Sequence, residues 1–303
     1  MRLTSNSIGF FDAESGRLTR SFQVGREPIA LTVANNSVWV ANYQDETVSR
    51  IDRTTGDTVT IAVGAHPTGL AAYRGTVWVW TLEDKLVPID PRFDSPGLPL
   101  SLTSQTLGSR SQAQAGRTPE EREGGRVTAG GGFLWVTAPL TTVVRVDVAN
   151  RRNRVPIVPD TGVEGAIVYQ GVAAWVAGSD QVFPITGATP ISGSGVPVGV
   201  VHDLAFAAGS LWAVSGGPTD PGGVAGGLRR IDPTTRLVRA TIDVGSDPVS
   251  MAVAGGSVWV AARTDGMIVR VDPEDGRVVE KIPVGAKPVA LAADHNGVWV
   301  AVN

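Results

Sequence analysis

Apolar and polar residues alternate along almost the whole chain in short runs, and no stretch holds a helical period. Ile29 to Val33 gives way to Asn35-Asn36, then to Val38-Trp39-Val40-Ala41. Thr47 to Asp52 and Thr58 to Val63 complete a unit that reopens with another Val-Gly. Period-two alternation of β-branched and aromatic residues, punctuated by Gly, Asn, Asp and Pro, predicts strands joined by tight turns.

The unit recurs. Val77-Trp78-Val79-Trp80, Leu134-Trp135-Val136-Thr137, Ala174-Trp175-Val176-Ala177, Leu211-Trp212-Ala213-Val214, Val258-Trp259-Val260-Ala261 and Val298-Trp299-Val300-Ala301 repeat the Trp39 segment, at spacings of 39, 57, 40, 37, 47 and 40 residues. A period of about 40 residues is that of a four-stranded propeller blade. Residues 7–24 read as the third and fourth strands of a unit, and residues 284–303 as the first and second. The two ends are thus expected to complete one blade between them and remove the open edge of the ring. The pattern predicts an all-β, seven-bladed β-propeller of four-stranded antiparallel blades, a single domain over 1–303 that is the whole folded module. Two stretches break the period: an inserted loop, 92–125, rich in Ser, Gln, Gly and Pro, and a Gly-rich loop, 215–227. Either reaches over a face of the disc or is a tolerated surface loop.

Two repeated residue types have structural explanations. The Trp of each unit sits among Val and Ala, where its ring can wedge between blades. Asp12, Asp52, Asp90, Asp147, Asp232 and Asp272 each precede a turn, where a carboxylate accepts backbone N–H bonds.

The repeat Val-Gly-x-x-Pro-x-x-Leu-Ala-Val…Ser-Val-Trp-Val-Ala-Asn…Thr-Val-x-Arg-Ile-Asp-Pro-x-Thr-Gly resembles the YVTN repeats of the YncE-like bacterial β-propellers, over essentially the whole chain. The resemblance implies ligand or partner surfaces near the central channel. It also implies that the loops between blades and the loops after the Trp strands share one face. Counting twelve residues back from each Trp gives Glu27, His66, Glu123, Val163, Val200, Asp247 and Lys287. The turn does not require these identities, so this ring is where binding chemistry is expected. Glu164 and Val201 replace the usual Pro and lead to His202 and Asp203; Arg126 stands where most blades have Ala, Gly or Ser. Trp80 and Tyr43 are aromatic candidates for stacking on a ligand, with packing beside the insertion as the other reading of Trp80.

Composition narrows the partners. The net charge of −3, with both signs mixed, lacks the basic footprint of a nucleic-acid binder. The absence of Cys excludes thiol catalysis and thiolate metal sites. No apolar run is long enough to span a membrane, and Met1 to Asn6 shows no signal-peptide pattern. Gly130-Gly131-Gly132 falls in a hairpin turn, and no cofactor or metal motif is present. The expectation is a monomeric, non-catalytic binding or sensor module. It would meet a small molecule, peptide or partner protein at the channel face, as the extracytoplasmic part of a larger bacterial receptor or kinase. The alternative is a metal-dependent lyase or hydrolase of the virginiamycin B lyase-like or lactonase-like propeller type. That enzyme would use His66 or His202 with Glu27, Glu164, Asp203 and Asp247 nearby, although the Leu-Trp-Phe-Thr-Glu strands typical of the lyase are missing here.

Overall fold

The computed structural model describes residues 2–102, 126–138, 142–150, 154–157, 163–187, 189–190, 195–215 and 227–303. They form seven antiparallel sheets and no helix. Blade 1 runs outward from Pro28–Ala34 through Ser37–Asn42 and Thr47–Asp52 to Thr58–Ala62. Blades 2 to 6 begin at Pro67, Val127, Val163, Val201 and Pro248 and repeat that order. Blade 7 joins the chain ends: Pro288–Asp294 and Gly297–Val302 lie inside Ser7–Asp12 and Leu18–Gln23. The innermost strands of neighbouring blades lie against one another around the whole ring.

The closing register is continuous from Ser7 opposite Val302 to Asp12 opposite Gly297. A Cβ at Gly297 would stand 2.1 Å from the Phe11 carbonyl oxygen, so this tight approach favours Gly. The expected closure is therefore present, and it is apolar: Ile8, Phe10 and Phe11 are buried with Trp299 and Val300.

Seven apolar clusters fill the seven interfaces between blades. In each, the repeated Trp projects from its own blade into the next: Trp39 meets Leu70, Val77 and Val79, and Trp212 meets Met251, Val258 and Val260. The indole N–H donates to the carbonyl five residues upstream in four blades, from Trp39 to Ala34 (3.2 Å), Trp135 to Gly130 (3.1 Å), Trp212 to Ala207 (3.2 Å) and Trp259 to Ala254 (3.1 Å). One residue thus supplies interface area and satisfies a polar group at the turn.

The Arg of the repeated Arg-Ile-Asp or Arg-Val-Asp is a second fastening. Arg50, Arg230 and Arg270 lie over the rings of Trp39, Trp212 and Trp259 at 5.4–5.8 Å. Their Nε atoms donate to Ser37, Ser210 and Ser257 at 2.9–3.0 Å. The guanidinium of Arg50 crosses to the Pro91 carbonyl (2.9 Å) and to Asp94 (2.6 Å) of blade 2, and that of Arg230 crosses to the Glu274 carbonyl (2.7 Å) of blade 6.

The turn aspartates cap as expected. Asp52 accepts the amides of Thr54 and Thr55 at 2.7 and 3.0 Å, and Asp12, Asp90, Asp147, Asp232 and Asp272 bind their own turns in the same way. The Arg92 side chain and amide hold Asp90 down to about 2, below the ordinary aspartate value of 3.8. Asp232 is lowered further by the Thr235 amide, Arg239 and the Thr234 amide. A carboxyl whose folded pKa is depressed contributes stability that is complete above its unfolded pKa and is lost as pH falls through the folded one. Urea midpoints are therefore expected to drop between pH 4 and pH 2 or so, and Asp90→Asn with Asp232→Asn should flatten that slope. An unchanged slope in the double variant would refute this assignment.

The insertion read as 92–125 is shorter than expected in one respect. Its first residues form the outer edge of blade 2, with Ser95–Pro96 and Leu100–Ser101 both paired to Lys85–Asp90. Leu100 and Leu102 are buried there. Residues 103–125 and most of 215–227 lie outside the described residues.

Candidate functional site

The two faces of the disc are built differently. One carries the Asp-capped turns, present in six of the seven blades. The other carries the segments leading into the inner strands together with the loops after the Trp strands. Four blades join these two by the same bond, in which the carbonyl twelve residues before the Trp accepts the amide four residues after it. The pairs are Glu27 with Tyr43 (2.9 Å), His66 with Leu82 (2.9 Å), Asp247 with Arg263 (3.0 Å) and Lys287 with Asn303 (3.0 Å). The backbone does the structural work, and the side chains at these positions differ. Glu27 and Asp247 adopt φ of 56° and 55°, a left-handed conformation that non-Gly residues occupy mainly in turns.

Carboxylates missed in the sequence reading also brace this face. Asp45, Glu83 and Asp265, five or six residues after the Trp, accept the amides of Arg26 (2.7 Å), His66 (3.1 Å to the nearer oxygen) and Ser246 (2.8 Å). Arg26 adds a side-chain ion pair to Asp45 at 2.6 Å. Counting forward from each Trp, as well as back, would have found them.

His66 is the centre of a group of four side chains. Its Nδ1 is 2.7 Å from Glu83 Oε1, its Nε2 is 3.7 Å from Glu46 Oε1, and its ring lies 4.9 Å from that of Tyr43, centroid to centroid. Tyr43 and Glu46 come from blade 1 and Glu83 from blade 2, so the group straddles a blade boundary. Burial pushes the Glu83 carboxyl up, but the hydrogen bonds from the His66 ring and amide outweigh it and hold the group below its ordinary value. His66 is about one-third exposed, open to a partner from solvent.

The remaining candidates are placed differently. Asp247 faces this surface but is engaged by Arg263 (2.7 and 3.2 Å) and Thr264 (3.3 Å). Lys287 is exposed beside an open groove shared with Arg2, Ser5 and Asp265. Glu27 is half-buried, with its amide donating to Asn6 Oδ1 at 3.0 Å. Arg126 and His202 are half-buried, Arg126 just before the inner strand of blade 3 and His202 on that of blade 5. Glu164 lies on Val163–Gln170 of blade 4, but its side chain, like Glu123, is outside the described residues.

Two candidates have structural duties. Asp203 bridges blades 5 and 6, accepting from Ser250 Oγ (3.0 Å) and the Met251 amide (2.8 Å). Trp80 is fully buried with Trp78, Leu86, Val127 and Leu134, so its ring presents no surface to a ligand. The inner strand of blade 3 spans only Val127–Gly130, against seven or eight residues in the other blades, and Trp80 supplies extra bulk to that interface.

No protein-family model and no curated protein matches the chain. Solved structures match along nearly its full length. Hydrazine synthase of Kuenenia stuttgartiensis aligns at 13% identity over 93% of this chain and 95% of that one, with a TM-score of 0.73. The WD40 β-propeller domain of Doa1 aligns at 12% identity over 97% and 94%, with a TM-score of 0.72. A chain in the mitotic checkpoint complex aligns at 11% identity over 92% and 90%, with a TM-score of 0.70. At such identities the likeness is one of fold: the chain is a seven-bladed β-propeller. Propellers carry many unrelated functions, so activity has to be argued from the site.

Proposed function

We propose that this protein is a binding module that holds a peptide or a partner protein on the loop face, centred on the Tyr43–Glu46–His66–Glu83 group. The observation that carries this is the contrast between the faces. One repeats an Asp-capped turn in six of the seven blades. The other repeats a backbone bond while its side chains vary from blade to blade. Side chains that the fold does not dictate, gathered on one rigid surface, are suited to recognition. Tyr43, half-buried on this face, is a residue type enriched in protein contacts. WD40 propellers among the structural neighbours fit a binding or scaffold role by analogy of fold alone. The resemblance to YncE-like propellers supports placing the module outside the cytoplasm, as a sensor within a larger receptor.

Selection of a random dodecamer peptide library on the immobilised chain tests the reading. Peptides enriched on the wild type are expected to bind Tyr43→Ala/His66→Ala at least tenfold more weakly, as for the loss of an aromatic anchor. His295→Ala, in the turn on the opposite face, should leave them unaffected. Equal binding to the loop-face variant, or no enrichment, would overturn the proposal.

A further inference from the structure

The geometry of His66 points to a metal site. The carboxylate of Glu83 takes both the backbone amide of His66, at 3.1 and 3.2 Å, and its Nδ1, at 2.7 Å. An ionised carboxylate only accepts, so the proton of a neutral ring sits on Nδ1 and the lone pair on Nε2. A carboxylate that fixes the tautomer and orientation of an imidazole is the usual outer shell of a metal-binding His. A carboxylate oxygen, Glu46 Oε1, lies 3.7 Å from Nε2. That is too long for a hydrogen bond. Two donors on one tetrahedral ion, each about 2.0–2.2 Å from it, lie about 3.4 Å apart, so the Nε2–Oε1 separation is close to that of two donors sharing one ion.

The supports of these donors are already in place. Glu46 holds φ at 54°, with its amide donating to the Tyr43 carbonyl (3.3 Å) and its own carbonyl accepting from Val63 (3.0 Å). Tyr43 packs beside the imidazole. Among the described residues no third His, Asp or Glu completes a three-donor group, and both donors are partly open to solvent.

We propose that His66 Nε2 and Glu46 Oε1 form a two-donor, open-sided site for a borderline divalent ion of the zinc type, with Glu83 as the positioning group. The remaining coordination positions go to water or to a donor from a bound molecule. The site lies within the proposed binding face and rests on that reading for its biological use, but ion uptake is measurable without any peptide.

The probe is zinc chloride added to the full chain. Calorimetry should give one site, and nitrogen-15 spectra should place the perturbation on Nε2 of His66. The chain has three His, and His202 and His295 should not move. His66→Ala should abolish uptake, and Glu46→Gln should weaken it at least tenfold. Glu83→Gln should weaken it about 10- to 100-fold, the range for loss of an outer-shell partner. Absence of uptake, uptake that survives His66→Ala, or signals placed on His202 or His295 would overturn the proposal. Repeating the peptide selection in chelator separates the two ideas. Zinc uptake without peptide enrichment removes only the binding function, and enrichment without zinc uptake removes only the metal site.

Discussion

Asp294→Ala is expected to destabilise the ring by about 3–5 kcal/mol, the range for breaking a buried ion pair by removing one partner. Asp294 ends the inner strand of the closing blade, and its side chain is only 2% exposed. One carboxylate oxygen meets Arg53 of blade 1 at 2.7 Å and the Trp299 indole N–H at 3.2 Å, and the other accepts the Asn296 amide at 2.7 Å. In four other blades the Trp N–H is satisfied by a backbone carbonyl. Here a side chain replaces it and also reaches across the seam to the next blade. Truncation leaves the Arg53 charge, whose side chain is 17% exposed, without its carboxylate. It also removes the acceptor of Trp299 at the blade where closure depends on two distant parts of the chain. Reversible urea unfolding measures the loss. Asp294→Asn, which keeps an acceptor, should lose less, and a loss below about 1 kcal/mol for Asp294→Ala would mean that the seam does not depend on this contact.

What the sequence revealed and what it hid divide along one physical line. Features repeated at a fixed distance from the Trp were legible: the blades, the closing blade and the Asp-capped turns each depend on contacts within a few residues or on a period. Features that depend on which side chain crosses to the neighbouring blade were not. Arg50 reads as an outward polar position on a strand, and only the packed ring shows its guanidinium on the Pro91 carbonyl. His66 stood out by its position, but Glu46 and Glu83, which define its chemistry, come from loops of two different blades. Asp203 departs from the repeat, and in the structure it fastens two inner strands. A break in a repeat signals a local requirement without saying whether that requirement is structural or functional.

Trp80 shows the same ambiguity, and its substitution is the second large effect expected. Two residues beyond the repeated Trp, an indole can lie on a ligand or under the next blade, and the alternation of the strand puts it on the same side as Trp78 in either case. The structure places it wholly inside the interface between blades 2 and 3. Trp80→Ala is therefore expected to cost about 3–5 kcal/mol, as for other large-to-small changes of an aromatic core residue, while peptides selected on the loop face keep their affinity. The polar end of the ring makes the argument sharper. The Trp80 Nε1 is buried with no hydrogen-bond partner among the described residues, whereas that of Trp259 donates to the Ala254 carbonyl at 3.1 Å. Replacement by Phe removes a buried unsatisfied donor at Trp80 but strands an acceptor at Trp259, and a buried group left unpaired costs about 1–3 kcal/mol. Trp80→Phe should thus be the milder of the two by about 1 kcal/mol or more in urea unfolding. If Trp259→Phe proves the milder, the indole N–H bonds do not help hold the blades, and the recurrence of Trp rests on ring volume alone.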